Sequence, residues 1–156
     1  PVTDAFTADL RGVRQVTGGE GDRIHGAGPG GRHGVALVLD HMAGIDPAAE
    51  DFVAQQRELE ALARHMPIWI KLSGADRACR TDDDRKRWAQ LAAGLSEAMP
   101  DRLIWGSDWP HVNMNDRAMP NDGDLVDLLK DWLPSEKALR QILVENPAKL
   151  FGFSAA

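Results

Sequence analysis

Beyond Gly34 the chain repeats one pattern three times: a short, almost wholly apolar run, a polar stop, then a longer stretch with apolar residues at helical spacing. Val35-Ala36-Leu37-Val38-Leu39 ends in Asp40-His41, Ile68-Trp69-Ile70-Lys71-Leu72 ends in Ser73-Gly74, and Leu103-Ile104-Trp105 ends in Gly106-Ser107-Asp108. Short apolar runs bounded by turn residues predict strands buried on both faces. Between them, residues 47–65 read as a helix with Pro47 in its first turn and Phe52, Leu59 and Leu62 inward. Thr81 followed by Asp82, Asp83 and Asp84 is a helix start, with Trp88, Leu91, Ala92 and Leu95 as the apolar stripe through about Met99. Residues 122–132 and 135–144 predict two further helices, and a short turn over 146–151 closes the pattern.

Strands alternating with helices at this spacing imply crossover connections and a parallel sheet, so the fold class is α/β. In such sheets chemistry gathers beyond the carboxyl ends of the strands. His41, Ser73 and Asp108 all follow strand ends and are therefore expected on one rim.

The first 34 residues depart from this regularity. Residues 18–34 hold eight of the fifteen glycines and little apolar surface, which predicts a flexible or disordered loop. Residues 12–16 have weak strand character. Two regions are thus expected: a poorly defined 1–34 and a globular 35–156.

Composition narrows the function. The chain has 156 residues, 43% hydrophobic and 27% charged, and no apolar run approaches a membrane span. No secretory signal pattern is present at the N-terminus, so a cytoplasmic location is expected. A formal net charge of -6 argues against nucleic acid as partner. Cys79 is the single cysteine, which leaves no internal disulfide and disfavours a cysteine-based zinc site.

Asp108 is the leading candidate acid, because a carboxylate ending a buried strand needs a partner or a task. The alternative is a cap for the following turn. His41, directly after a strand and on the same rim, gains weight from Asp108. Arg77, four residues past the second strand end, either forms a surface salt bridge with Asp76 or Asp82 or grips a substrate carboxylate with its planar fork. His25 and His33 lack metal-ligand spacing, and His65 suits a helix C-terminus. Gly26, Gly28 and Gly31 match a dinucleotide-loop spacing, but polar residues precede them and a strand follows, so the match is accidental.

Four motifs in this order resemble the amidohydrolase-related TIM-barrel hydrolases. They are Asp40-His41-Met42, Trp69-Ile70-Lys71-Leu72-Ser73-Gly74-Ala75, Trp105-Gly106-Ser107-Asp108-Trp109-Pro110-His111 and Asn146-Pro147-Ala148-Lys149-Leu150-Phe151-Gly152-Phe153. Met119-Pro120-Asn121-Asp122-Gly123-Asp124-Leu125 is similar to the branch containing 2-pyrone-4,6-dicarboxylate lactonase. The resemblance implies a partial (β/α)₈ barrel in which residues 35–153 supply strands six to eight and the closing helices. It implies that Asp108 orients or deprotonates the attacking water, that His41 polarises the scissile carbonyl, and that Arg77 holds a substrate carboxylate. Arg14, in a stretch resembling strand four, would grip a carboxylate as well, with His111 and Ser73 beside the substrate.

Departures from the family pattern are equally legible. The His-x-His pair of strand one has no counterpart, and only 26 residues separate Arg14 from His41. That spacing suggests a deletion, a frame-shifted stretch or a misjoined fragment. Met42-Ala43-Gly44 stands where the family carries Met-Gly-Arg. The expected substrate is a small carboxylated lactone, with a divalent metal only in a full-length parent. An inactive fragment that associates through open sheet edges is the first alternative, and a decarboxylase of the same superfamily the second.

Overall fold

The computed structural model of the chain describes residues 36–112, 117–133 and 135–154. Arg14, the strand-like stretch over 12–16 and the glycine-rich segment with His25 and His33 lie outside the described residues.

Three strands, β1 (Leu37–Leu39), β2 (Ile68–Leu72) and β3 (Leu103–Trp105), form one parallel sheet in the order β1-β2-β3. Leu37 pairs with Ile68, and Ile70 with Leu103. Helix α1 (Phe52–His65) joins β1 to β2, while α2 (Ala75–Ala78) and α3 (Asp82–Ala98) lie between β2 and β3. After β3 come α4 (Asp122–Trp132), α5 (Glu136–Arg140), a π turn (Gln141–Glu145) and α6 (Asn146–Phe151).

Alternation along the strands sorts the sheet into two faces. Leu39, Ile68, Ile70, Leu72 and Leu103 join Phe52 and Leu59 of α1, Trp88, Leu91 and Leu95 of α3 and Leu129 of α4 in one apolar core. The other face carries Val38, Trp69, Lys71 and Ile104, with Lys71 paired to Asp40 at 2.6 Å. Among the described residues β1 and β3 each pair with a single neighbour, so the sheet has two edges.

Three boundaries differ from the sequence expectation. Helix α1 begins at Phe52, not near Pro47. The Asp46 carboxylate accepts from the Ala48 N–H at 2.9 Å, and backbone bonds from Ala49 to Asp46 and from Phe52 to Ala49 spend these residues on turns. The closing helices run on without a break, because the π turn takes up the register ahead of Pro147, whose missing N–H would otherwise interrupt the ladder. The single helical turn α2 has too little periodicity to be read from sequence. By contrast α3 starts where its acids indicated. Thr81 accepts from the Asp84 N–H at 3.1 Å, and the Asp84 carboxylate accepts from the Thr81 N–H at 2.8 Å, a reciprocal capping box.

Candidate active site at the carboxyl ends of the strands

Each strand leaves the sheet through left-handed backbone. His41, Met42 and Ala43 have φ of 51°, 49° and 60° after β1, Gly74 has 83° after β2, and Asp108 has 70° after β3. Non-glycine residues rarely hold such angles, and each costs about 1–3 kcal/mol that the surrounding structure must over-determine. Here they gather on one rim, and two of them, His41 and Asp108, also bring their side chains together there.

Asp108 lies at the centre. Its Oδ2 is 2.5 Å from Arg77 Nη2 of α2, and its Oδ1 is 3.8 Å from His41 Nε2. The Arg77 approach is a contact of charges without hydrogen-bond alignment, since Arg77 Nε and Nη2 and Asp108 Oδ2 are buried with no hydrogen-bond partner. Neither surface pairing considered for Arg77 forms, and Asp82 is taken by Arg85.

Ser73 is buried and sets the His41 ring. Its Oγ accepts the His41 backbone N–H at 3.3 Å and lies 3.1 Å from Nδ1. The same hydroxyl can donate to Nδ1, which is the arrangement that leaves a ring proton on Nε2, the nitrogen facing Asp108, while a hydroxyl accepting from both groups serves the other tautomer. The His41 side chain remains 40% exposed, open to a ligand on the rim.

His111 is placed otherwise. Its φ of 53° turns the ring inward, leaving the side chain 2% exposed, with Nε2 2.9 Å from Asp122 Oδ1 and Nδ1 3.8 Å from Asp76 Oδ2. Sequence reading missed Asp76 and Asp122 as partners: Asp76 read as a neighbour of Arg77, and Asp122 as a helix-start acid. The local signal for each is its place in the first turn of a helix, α2 for Asp76 and α4 for Asp122.

Among the described residues no group of three or more His, Cys, Asp or Glu side chains could hold a metal ion. His41 and Asp108 alone offer two donors, and Arg77 already rests on the Asp108 carboxylate. These residues by themselves do not fit a divalent ion.

Comparison with known proteins places the site in a family. The chain is 42% identical over 119 residues to the 4-sulfomuconolactone hydrolase of Hydrogenophaga intermedia, covering 76% of this chain and 39% of that protein. It is 33% identical over 129 residues to the 2-pyrone-4,6-dicarboxylate hydrolase of Comamonas testosteroni, covering 74% and 40%. A crystal structure from Pseudomonas putida, described as that of a 2-pyrone-4,6-dicarboxylic acid hydrolase, superposes with a TM-score of 0.67 at 26% identity, covering 79% of this chain and 45% of that one. An amidohydrolase from Burkholderia multivorans solved with bound zinc shares the fold at a TM-score of 0.62 and 24% identity, over 76% of this chain and 44% of its own. The chain thus spans about two fifths of the length of the relatives it matches, 39% and 40%. The three parallel strands and their helices form part of a (β/α)₈ barrel. The amidohydrolase family model matches residues 31–153, most of the chain, and the chain belongs to that family.

Proposed function

We propose that this chain carries the carboxyl-terminal half of a lactone hydrolase site, acting on a small carboxylated or sulfonated lactone. One observation supports it above the others: His41, Arg77 and Asp108, from three separate strand ends, meet within ion-pair distance on one rim.

In this reading Asp108 takes the proton of the water that attacks the lactone carbonyl carbon. His41 donates from Nε2 to the carbonyl oxygen as negative charge develops there. The ring C–O bond then breaks, and the departing oxygen takes up the proton that Asp108 removed from the water, which returns Asp108 to its carboxylate form. Arg77 has a second task, for which its geometry is suited. Its guanidinium rests on Asp108 without aligned hydrogen bonds, so an incoming substrate carboxylate offering bidentate geometry competes for it. Moving Arg77 onto the substrate frees Asp108 to act as base at the moment the substrate arrives. Ser73 holds the His41 ring in place, and Arg14 would add a second carboxylate grip.

The same observations favour a second statement about the chain by itself. Among the described residues β1 and β3 are each paired on one side, so these residues alone do not enclose a substrate. The 156-residue chain alone is expected to turn over neither 4-sulfomuconolactone nor 2-pyrone-4,6-dicarboxylate, and to associate with itself through its sheet edges. A concentration-independent monomer in sedimentation would remove the association.

A chimera tests the catalytic assignment. Residues 35–156 replace the matching segment of the Hydrogenophaga intermedia enzyme, and hydrolysis of 4-sulfomuconolactone and 2-pyrone-4,6-dicarboxylate is followed. Hydrolysis that falls about 10²–10⁴-fold on Asp108→Asn is expected for loss of a general base. A folded Asp108→Asn chimera with unchanged turnover would overturn the reading.

A further inference from the structure

We propose that His111 is a positioning residue, holding the Arg77–Asp108 contact in register through a second, parallel contact with Asp76. The turn after β2 carries an acid and a base side by side, Asp76 and Arg77. The turn after β3 carries Asp108 and, three residues on, His111, whose backbone N–H donates to the Asp108 carbonyl at 2.8 Å. Arg77 meets Asp108 at 2.5 Å, and Asp76 faces His111 at 3.8 Å. Acid and base are thus exchanged between the two turns, and sliding one turn against the other breaks both pairings together.

Burial makes the second pairing matter. The His111 and Asp76 side chains are 2% and 6% exposed. Neither Asp76 carboxylate oxygen has a hydrogen-bond partner, and nor does His111 Nδ1. A carboxylate without hydrogen bonds is costly away from water, so Asp76 depends on the facing ring. The other ring nitrogen is tied to Asp122 at the start of α4 at 2.9 Å, which fixes His111 from behind. Arg117 adds a donor to the carbonyls of Asp76 and Arg77, at 3.3 Å each, on the outer side of the same turn. The site pair therefore rests on a strut running Asp76, His111, Asp122, buried at its first two members.

The consequence for Arg77 is independent of the lactonase reading, while the consequence for turnover rests on it. The test follows the Arg77 Nε–H resonance by NMR in the 156-residue chain. In the folded variants Asp76→Asn and His111→Gln, its hydrogen exchange is expected to quicken at least tenfold. The double variant should be no worse than either single one, as for two members of one strut. Ser135→Ala, which removes the N-cap of α5 at a distance in sequence from both turns, should lower the Tm and leave the Arg77 signal in place. If His111→Gln does not fold, Asp122→Asn loosens the ring from its half-exposed end and should quicken exchange by a smaller factor. An Arg77 signal unmoved in folded Asp76→Asn or Asp122→Asn overturns the strut. In the chimera the same variants should lower kcat and, because Arg77 also grips the substrate carboxylate, raise KM. A moved Arg77 signal with unchanged chimera turnover upholds the strut and counts against the catalytic role of the Arg77–Asp108 pair.

Discussion

Gly74 lies against the His41 ring so closely that a Cβ added there would stand 2.9 Å from Nδ1 and 3.2 Å from the His41 Cβ. The turn after β2 is thereby the seat on which the turn after β1 rests its imidazole. Gly74 also has φ of 83°, a left-handed angle that a side chain resists. Two effects are superimposed in Gly74→Ala: backbone strain of about 1–2 kcal/mol, and displacement of the ring from Ser73. Gly44 separates them, because it too is left-handed at 74° but has nothing within 4 Å of an added Cβ. Gly44→Ala should cost the strain alone in chemical denaturation. Gly74→Ala should cost more, and should also shift the His41 ring resonances, which Gly44→Ala leaves in place.

The capping box of α3 predicts a stability that weakens in acid. Asp84 is held below its ordinary value of 3.8, first by the backbone N–H groups of Arg80 and Thr81, with a smaller contribution from the Thr81 hydroxyl. A carboxylate lowered on folding stabilises the protein fully above its unfolded value, and that contribution is lost as pH falls through the lower folded value. Thermal melts from pH 6 to pH 2 should therefore show wild type losing more than Asp84→Asn, with the difference confined below about pH 4. Thr81→Ala should cost about 1 kcal/mol at neutral pH, the usual worth of an N-cap.

Cys79 should be a slow thiol. Burial first, then the charge of Asp84, pushes its pKa from 9.0 up to about 11, with Arg85 opposing and Asp76 adding to the rise. Raising the pKa from 9.0 to about 11 lowers the thiolate fraction near neutrality by about 100-fold, partly offset by the greater nucleophilicity of a more basic thiolate. Alkylation by iodoacetamide at pH 8 should run at least about tenfold slower than for a free thiol, and should speed up in urea. A native-state rate equal to that of a model thiol would contradict this account.

How far the sequence foretold the molecule depends on which interactions were local. The bounds of β2, β3 and α4 could be read directly, since apolar runs and capping residues decide them within a few positions. The strand-end rule likewise placed His41, Ser73 and Asp108 on one rim, because a parallel sheet brings those ends together whatever the loops do. The direction of the His111 ring was not legible. It follows from one left-handed φ and from carboxylates 35 and 11 positions away, Asp76 and Asp122. The partner of Arg77 was hidden for the same reason: its nearest acids in sequence are Asp76 and Asp82, while the one it touches comes from another strand end. The expected helix over 135–144 and turn over 146–151 are instead one continuous run, because a π turn joins them ahead of Pro147.

The Asn-Pro-Ala-Lys motif carried family resemblance in the sequence, and the structure gives its asparagine a mechanical role. Asn146 is buried, and its Nδ2 donates to the carbonyls of Pro100 and Leu103 at 2.8 and 2.7 Å. One side chain thus ties the start of α6 to the entry of β3, the strand that delivers Asp108. Removing the donor leaves two carbonyls each short of a partner, at about 1–3 kcal/mol apiece where they are shut off from water. Asn146→Ala should lower the unfolding free energy by about 2–4 kcal/mol in urea titration, taking both carbonyls together. Asn146→Asp should cost more at neutral pH despite its matching shape, because it sets a carboxylate against two carbonyl oxygens. Part of that excess should be recovered below about pH 4, where a protonated carboxyl can donate one hydrogen bond. An Asn146→Asp variant as stable as wild type at pH 7 would show that the two carbonyl contacts contribute nothing to the fold.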